Sequence, residues 1–187
     1  IKLDKKVEIL SAVWCHNLQH VCILSENGLV IVRVKTGEVT KYSEISKRID
    51  TERIVFATEE LVYLEKRDGG LAVVNLTTND VVDTLPNSDH LKCIVYKDEV
   101  DSFVGYARSD KGNEFVVLDK LGKVTHRLSF EGSAKTYPSL NSLSAVVVVL
   151  EDGTVRCLDL LEKKIVWSFL PEEKIDLDLN NETPTAE

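Results

Sequence analysis

The densest gathering of potentially reactive side chains is Cys15-His16-Asn17-Leu18-Gln19-His20-Val21-Cys22, with two thiols and two imidazoles. A structural zinc ion asks for four such ligands converging on one point. If Asn17–Gln19 turn a hairpin, Cys15 and Cys22 fall on facing strands, while strand alternation sends His16 to the opposite face. No second ligand pair stands at usable spacing elsewhere. The expected role of this segment is therefore structural, with a cross-strand Cys15–Cys22 disulfide or a zinc site as the alternatives. Cys93 and Cys157 lie inside apolar runs, where free cysteine behaves as a small hydrophobe. Asp98, Glu99 and Asp101 gather carboxylates at one turn, but their spacing fits no calcium loop, and a solvated turn is the expected reading. No glycine-rich run leads into Lys-Ser or Lys-Thr, and no serine sits in a nucleophile elbow. The histidines, His16, His20, His90 and His126, stand in unrelated contexts. No catalytic residue, cofactor-binding residue or metal ligand is assigned, and the chain is expected not to be an enzyme.

The elements that would position any site follow from composition and periodicity. The 187 residues are 43% hydrophobic and 29% charged, enough for a buried core in a chain of roughly one domain. A formal charge of −8 argues against a general nucleic-acid or anionic-membrane binder, which needs clustered Lys and Arg. No apolar run approaches the roughly 20 residues of a membrane span, and the first residues lack a signal-peptide pattern. The start at Ile1 and the absence of methionine fit a fragment or processed product.

An internal repeat organises the chain. Turn positions Gly37, Asn79, Gly122 and Lys163 each follow an apolar run and precede another, at separations of 42, 43 and 41 residues. Glycine and asparagine suit a turn that needs positive φ, and Lys163 is the outlier. Asn27-Gly28, Asp68-Gly69-Gly70, Lys111-Gly112-Asn113 and Glu151-Asp152-Gly153 mark a second turn in each unit. The first unit reads as strands over Glu8–His16, His20–Glu26, Leu29–Lys35 and Glu38–Ile45. The second reads Arg53–Thr58, Leu61–Glu65, Leu71–Leu76 and Asp80–Leu85, and the third Leu91–Tyr96, Ser102–Arg108, Glu114–Asp119 and Lys123–Phe130. The fourth reads Lys135–Leu140, Ala145–Leu150, Thr154–Leu160 and Lys164–Phe169.

Runs such as Ala145–Leu150 are β-branched and nearly continuous, so both of their faces must be buried. Stacked blades bury both faces of a four-stranded meander. The expected fold is all-β, a β-propeller of about four four-stranded antiparallel blades near residues 5–46, 47–86, 87–132 and 133–170. A sandwich or irregular barrel is the alternative.

The segment Cys157-Leu158-Asp159-Leu160-Leu161-Glu162-Lys163-Lys164-Ile165-Val166-Trp167 resembles the repeat of quinoprotein-type propellers. In that family an aspartate precedes Thr-Gly-Lys, and a closing tryptophan packs between blades. Asp159 and Trp167 match, whereas Leu161-Glu162-Lys163 departs from the Thr-Gly core. The first unit keeps Thr36-Gly37-Glu38 but places Lys41 where the tryptophan would stand. Similarity to WD-type (WD40-like) propellers is looser, since no unit has a Gly-His pair or a Trp-Asp ending. The resemblance implies rings of six to eight blades, so four units would form about half a ring. The remaining blades would belong to a longer parent or be supplied by a partner; a compact four-bladed ring is the alternative. It also implies inward acidic residues, calcium and vicinal cysteines in the quinone-dependent enzymes, none of which match here.

Trp14 alternates with apolar neighbours and is expected in the core. Tyr42, Tyr63, Tyr96, Tyr106 and Tyr137 are spread through the units, as blade packing requires. Asn75 and Asn181 begin glycosylation sequons, Asn75 within a predicted strand. Residues 171–187 form an acidic, Asn-rich tail or linker in which Ile175, Leu177 and Leu179 alternate with polar residues, a pattern that strand addition could use. Two charged turns at equivalent places, Lys66-Arg67-Asp68 and Arg108-Ser109-Asp110-Lys111, are the expected interaction residues on one rim. The functional expectation is a non-catalytic scaffold mediating protein–protein interactions in a larger assembly. A peptide- or unfolded-chain sensor of the secretory pathway is the alternative, as the quinoprotein-type resemblance implies. Both an intracellular location and the lumen of the endoplasmic reticulum stay open.

Overall fold

The computed structural model describes residues 8–44, 49–109, 112–131, 145–159, 162 and 164–170. Its first sheet runs in order β1 (Ile9–Trp14), β2 (His20–Ser25), β3 (Gly28–Arg33), β4 (Val39–Ser43). The second holds β5 (Thr51–Ala57), β6 (Leu61–Lys66), β7 (Leu71–Asn75) and β8 (Val81–Val82). The third holds β9 (Lys92–Lys97), β10 (Ser102–Ser109), β11 (Gly112–Leu118) and β12 (Val124–Phe130), with one 3-10 turn at Asp98–Val100. The fourth shows β13 (Ala145–Val149), β14 (Val155–Asp159) and β15 (Lys164–Phe169). Every pairing is antiparallel between sequence neighbours, which is the meander of a propeller blade. The predicted strand Lys135–Leu140, the turn residue Lys163 and the tail from 171 lie outside the described residues.

The turn chemistry follows the sequence. Gly37, Asn79 and Gly122 all take positive φ, at 67°, 60° and 80°. Carboxylate and amide side chains lock the same turns: Asp119 Oδ1 accepts from the amides of Leu121 and Lys123, and Asn75 Oδ1 accepts from those of Thr77 and Thr78. The fourth strand of the second unit is cut to two residues. Pro86, which has no N–H, follows, yet Leu85 still donates its amide to Leu71 O at 2.6 Å and buries its side chain.

Three apolar layers lie between successive sheets. Cross-strand register explains each one, because directly paired residues share a face. The row Val13–Cys22–Ile31 of the first sheet meets Ile54–Leu64–Ala72 of the second. Phe56–Tyr63–Val73 on the far face of the second sheet meets Tyr96–Phe103–Leu118 of the third. Val104, Phe115 and Val117 of the third meet Val146 and Val148 of the fourth. The alternation of β13 places its even-numbered valines in this layer. Each layer therefore joins the later face of one blade to the earlier face of the next.

Three sequence expectations are corrected. Trp14 is not in the core: it is 55% exposed, because register with Val21 puts it on the face of the first sheet that turns away from the second. Cys93 is more than a strand hydrophobe. It has φ +57° beside a register shift between β9 and β10, and it is half-buried. Cys15 and Cys22 are both fully buried free thiols, so the disulfide alternative does not hold. Cys157 is buried within β14, as expected.

Candidate functional site

The β1–β2, β5–β6 and β9–β10 turns all emerge on one rim, since consecutive antiparallel strands return to the same level. This brings His16, Glu59, Asp98 and Asp101 together from three blades, joined by Lys120 from the β11–β12 turn. Asp101 is the centre of the group. Lys120 Nζ lies 2.6 Å from its carboxylate, and the Tyr96 hydroxyl donates to the same oxygen. The Lys120 ammonium also stands 5.5 Å from the ring centres of Phe56 and Tyr96, within cation–π range. Tyr63 OH donates to Lys120 O at 3.4 Å. Below this cap, Phe56 stacks on Tyr96 at 3.7 Å and Phe103 closes the cluster.

Hydrogen bonding to Lys120 holds the Asp101 carboxyl below its ordinary value. Burial, then the bond to Asp101, pushes the Tyr96 phenol up, and burial raises Tyr63 as well. Chemically, a charge-balanced Asp–Lys–Tyr group on an aromatic base is a staple between the second and third blades. Asp98 is drawn instead toward His16, 3.4 Å away in the first blade. Asp98 and Asp101 thus each face a side-chain nitrogen of the protein, and no group of three metal-ligating side chains exists among the described residues. His20 Nδ1 is 3.0 Å from Glu59, and Asn17 Nδ2 donates to Glu59 too. Lys41 Nζ bonds Glu59 O at 2.8 Å and Thr77 Oγ1 at 3.3 Å. His16, Asn17, Gln19, Thr58, Glu59 and Glu60 line an open cleft here.

The opposite rim carries the sequence-predicted interaction residues. Lys66 is only 14% exposed in its side chain and is tied to Asp83 at 3.6 Å, Asp68 at 4.0 Å and Thr84 Oγ1 at 3.2 Å. Arg67 pairs with Asp50 at 3.0 Å. Asp68 and Arg108 are exposed. Asp110 and Lys111 lie outside the described residues.

Beside Arg67, a second cleft is lined by Glu52, Arg53, Glu65, Lys92 and Cys93. Glu65 is its buried element, at 3% exposure. Its Oε1 accepts from the amides of Cys93 at 2.6 Å and Ile94 at 3.4 Å, and its Oε2 lies 2.6 Å from Arg53 Nη2. Arg53 Nη2 in turn donates to Ile94 O at 2.7 Å. One ion pair in the second blade thus grips the irregular start of the third. Burial, reinforced by the Glu65 charge, pushes the Cys93 thiol up to about 12. Sequence reasoning missed both the Glu65 grip and the Asp101–Lys120 staple. The one available signal was a glutamate at the inward-facing end of an otherwise apolar strand, Leu61–Glu65.

No family model matches the chain, and no curated protein matches it. Solved structures do match. The C-terminal WD40 domain of Sif2 aligns at TM-score 0.56 and 15% identity, over 88% of this chain and 46% of that one. Kuenenia stuttgartiensis hydrazine synthase aligns at 0.57 and 14% identity, over 88% and 49%. The β-propeller domain of Myceliophteria thermophila Cps50 (Swd1) aligns at 0.57 and 14%, over 81% and 51%. The fold is that of β-propeller blades. This chain spans about half the length of the solved chains it matches.

Proposed function

We propose that this chain is a non-catalytic β-propeller scaffold that mediates protein–protein contacts within a larger assembly. One observation carries the reading: large exposed apolar side chains concentrate on the two end blades. Ile9, Leu10, Trp14, Val39 and Tyr42 mark the first, and Ile165, Val166, Trp167, Phe169 and Leu170 the last. Apolar surface gathered in this way is a docking surface, whereas single exposed hydrophobes are ordinary. The partner is protein, since the charge of −8 repels nucleic acid. Arg67, Asp68 and Arg108, with Lys66, Asp110 and Lys111, form a secondary rim contact in this proposal.

The test is the native size of the tagged chain in a gentle cell extract. Elution with a larger assembly, shifted toward smaller species by Trp167→Glu, supports the scaffold. Elution of the wild-type chain at its own size overturns it.

One observation favours a second reading, a sensor of extended or unfolded peptides. Among the described residues β15 is an edge strand with all six residues exposed, and an unpaired edge accepts another strand. A fluorescently labelled, reduced and carboxymethylated polypeptide that bound in proportion to β15 integrity would support it. No binding at high micromolar concentration would remove it.

A further inference from the structure

A strand's side-chain pattern marks its place in a blade. The inner strands β5 and β9 each feed two apolar layers. β5 gives Ile54 and Ala57 to one layer and Val55 and Phe56 to the next. β9 gives Ile94 and Tyr96 to one and Val95 to the next. The outermost strand β12 differs, with half-buried Val124, His126 and Leu128 alternating with exposed Thr125, Arg127 and Ser129. Beyond β15 the sequence Ile175-Asp176-Leu177-Asp178-Leu179-Asn180 alternates as β12 does. As an inner strand between two blades it would bury both carboxylates among apolar side chains, which is heavily unfavourable. The alternation alone sets this, whatever chain precedes or follows.

The strand β15 offers a matching place. It ends the fourth sheet among the described residues, and all six of its residues are exposed. Its far edge points away from the inner strands, so further blades would leave that edge open. Pairing with β14 sets Phe169 beside Val155 and Trp167 beside Cys157 on one face, and Ser168 beside Arg156 on the other. A return through the five residues Leu170–Lys174 sets Ile175 opposite Phe169, Asp176 opposite Ser168 and Leu177 opposite Trp167. Five residues lie within the usual range of hairpin loops. Both apolar rows then continue apolar, and the polar row runs from Arg156 through Ser168 to Asp176. A return one residue shorter would set Asp176 against Phe169 and Asp178 against Trp167, so the pattern selects the first register.

We propose that residues 175–180 form a fifth, outermost strand of the fourth blade, antiparallel to β15. Ile175 and Leu177 cover Phe169 and Trp167, which are otherwise 58% and 46% exposed. Charge agrees with this register. Arg156 lines an open cleft with Ser168, Ile165 and Phe130, and its Nη1 donates to Glu131 O at 2.9 Å. Asp176 stands two strand spacings from Arg156, about 10 Å, a gap that an arginine side chain bridges. The proposal goes beyond the scaffold reading and does not rest on it. It fills the edge that the peptide-sensing reading leaves open, so a polypeptide reaching β15 must displace the chain's own strand.

The experiment is disulfide trapping in the 187-residue chain, scored by peptide mapping. Ser168→Cys with Asp176→Cys puts two thiols on directly opposed residues, whereas Ser168→Cys with Leu177→Cys puts them on opposite faces. Under mild oxidation the first pair links at least about 10-fold faster than the second, and adding Leu177→Asp to the first pair removes that preference. Amide hydrogen exchange reads the same strand without new cysteines. Alternate amides of 175–180 exchange at least about 10-fold slower than free-chain rates, and Leu177→Asp restores those rates.

Equal linking by the two pairs overturns the proposal, since a loose segment meets Ser168 in any register. No linking by either pair overturns it too, because the segment then lies elsewhere, as it would in the inner strand of a further blade. Free-chain exchange at 175–180 in the unsubstituted chain also overturns it, since the strand would then form only when trapped. None of these outcomes touches the scaffold reading, which native size in extract decides separately.

Discussion

Glu65 gives the sharpest test of how adjacent blades are held. In Glu65→Ala the Cys93 amide, 2.6 Å from the carboxylate, loses a charge-assisted hydrogen bond at a half-buried blade junction. Such a bond contributes about 1.5–3 kcal/mol, and orphaning its donor is the larger part of the loss. The Ile94 amide at 3.4 Å adds little. The Arg53 pair adds about 0.5–1 kcal/mol, because the guanidinium side chain is 38% exposed and water can take over its partner's role. The buried methylenes contribute about another kilocalorie. Together these predict a loss of about 4 kcal/mol for Glu65→Ala. Glu65→Gln keeps the acceptor as a weaker neutral bond and should lose about 2 kcal/mol. With a urea slope of about 2 kcal/mol/M, the midpoint falls by about 2 M and 1 M respectively. Hydrogen exchange at the Cys93 amide should accelerate in the same order. A midpoint change below about 0.5 M for Glu65→Ala, or equal losses for the two variants, would refute the reasoning.

Other expectations follow from the same geometry. Gly122→Ala would place a Cβ 2.4 Å from Pro86 O at φ +80°, whereas Gly37→Ala at φ +67° meets nothing within 4 Å. The first should cost about 3 kcal/mol or more and the second about 1, as thermal melts will show; equal costs would mean that turn strain alone governs both. Burial raises Cys15 to about 11, and Cys93 stands at about 12, so native thiols should resist an aromatic disulfide reagent at pH 8. All four should react once the chain is unfolded, and fast native labelling of Cys15 or Cys22 would contradict their burial. Tyr96 holds its proton more tightly when folded, so its contribution is complete below about pH 10 and is lost as pH rises beyond it. Asp101 is shifted the other way, so its contribution is present above about pH 4 and is lost as pH falls. Tyr96→Phe should flatten the alkaline limb of the stability profile and Asp101→Asn the acid limb; unchanged limbs would show that the staple is not made in solution.

The repeat, the strand positions and the turns were legible in the chain because they rest on local rules. Alternation and positive-φ residues act within about ten positions, so Gly37, Asn79 and Gly122 reveal their turns without help from the rest of the fold. What crosses between blades was not legible. Trp14 and Tyr63 both lie in runs that read as core, yet one is exposed and the other buried, because blade stacking gives only one of their faces a neighbour. Asp98 and Asp101 looked like one acidic turn. Stacking divides them between His16 of the first blade and Lys120 of the third. Glu65 could be seen as an oddity in an apolar strand, but its partner is the Cys93 amide, whose direction depends on a left-handed residue and a register shift. The sequence by itself determined which segments become strands and which face of each is apolar. Only the tertiary structure decided which apolar faces find a neighbour, since that depends on how many blades stack and in what order, and no local pattern encodes it.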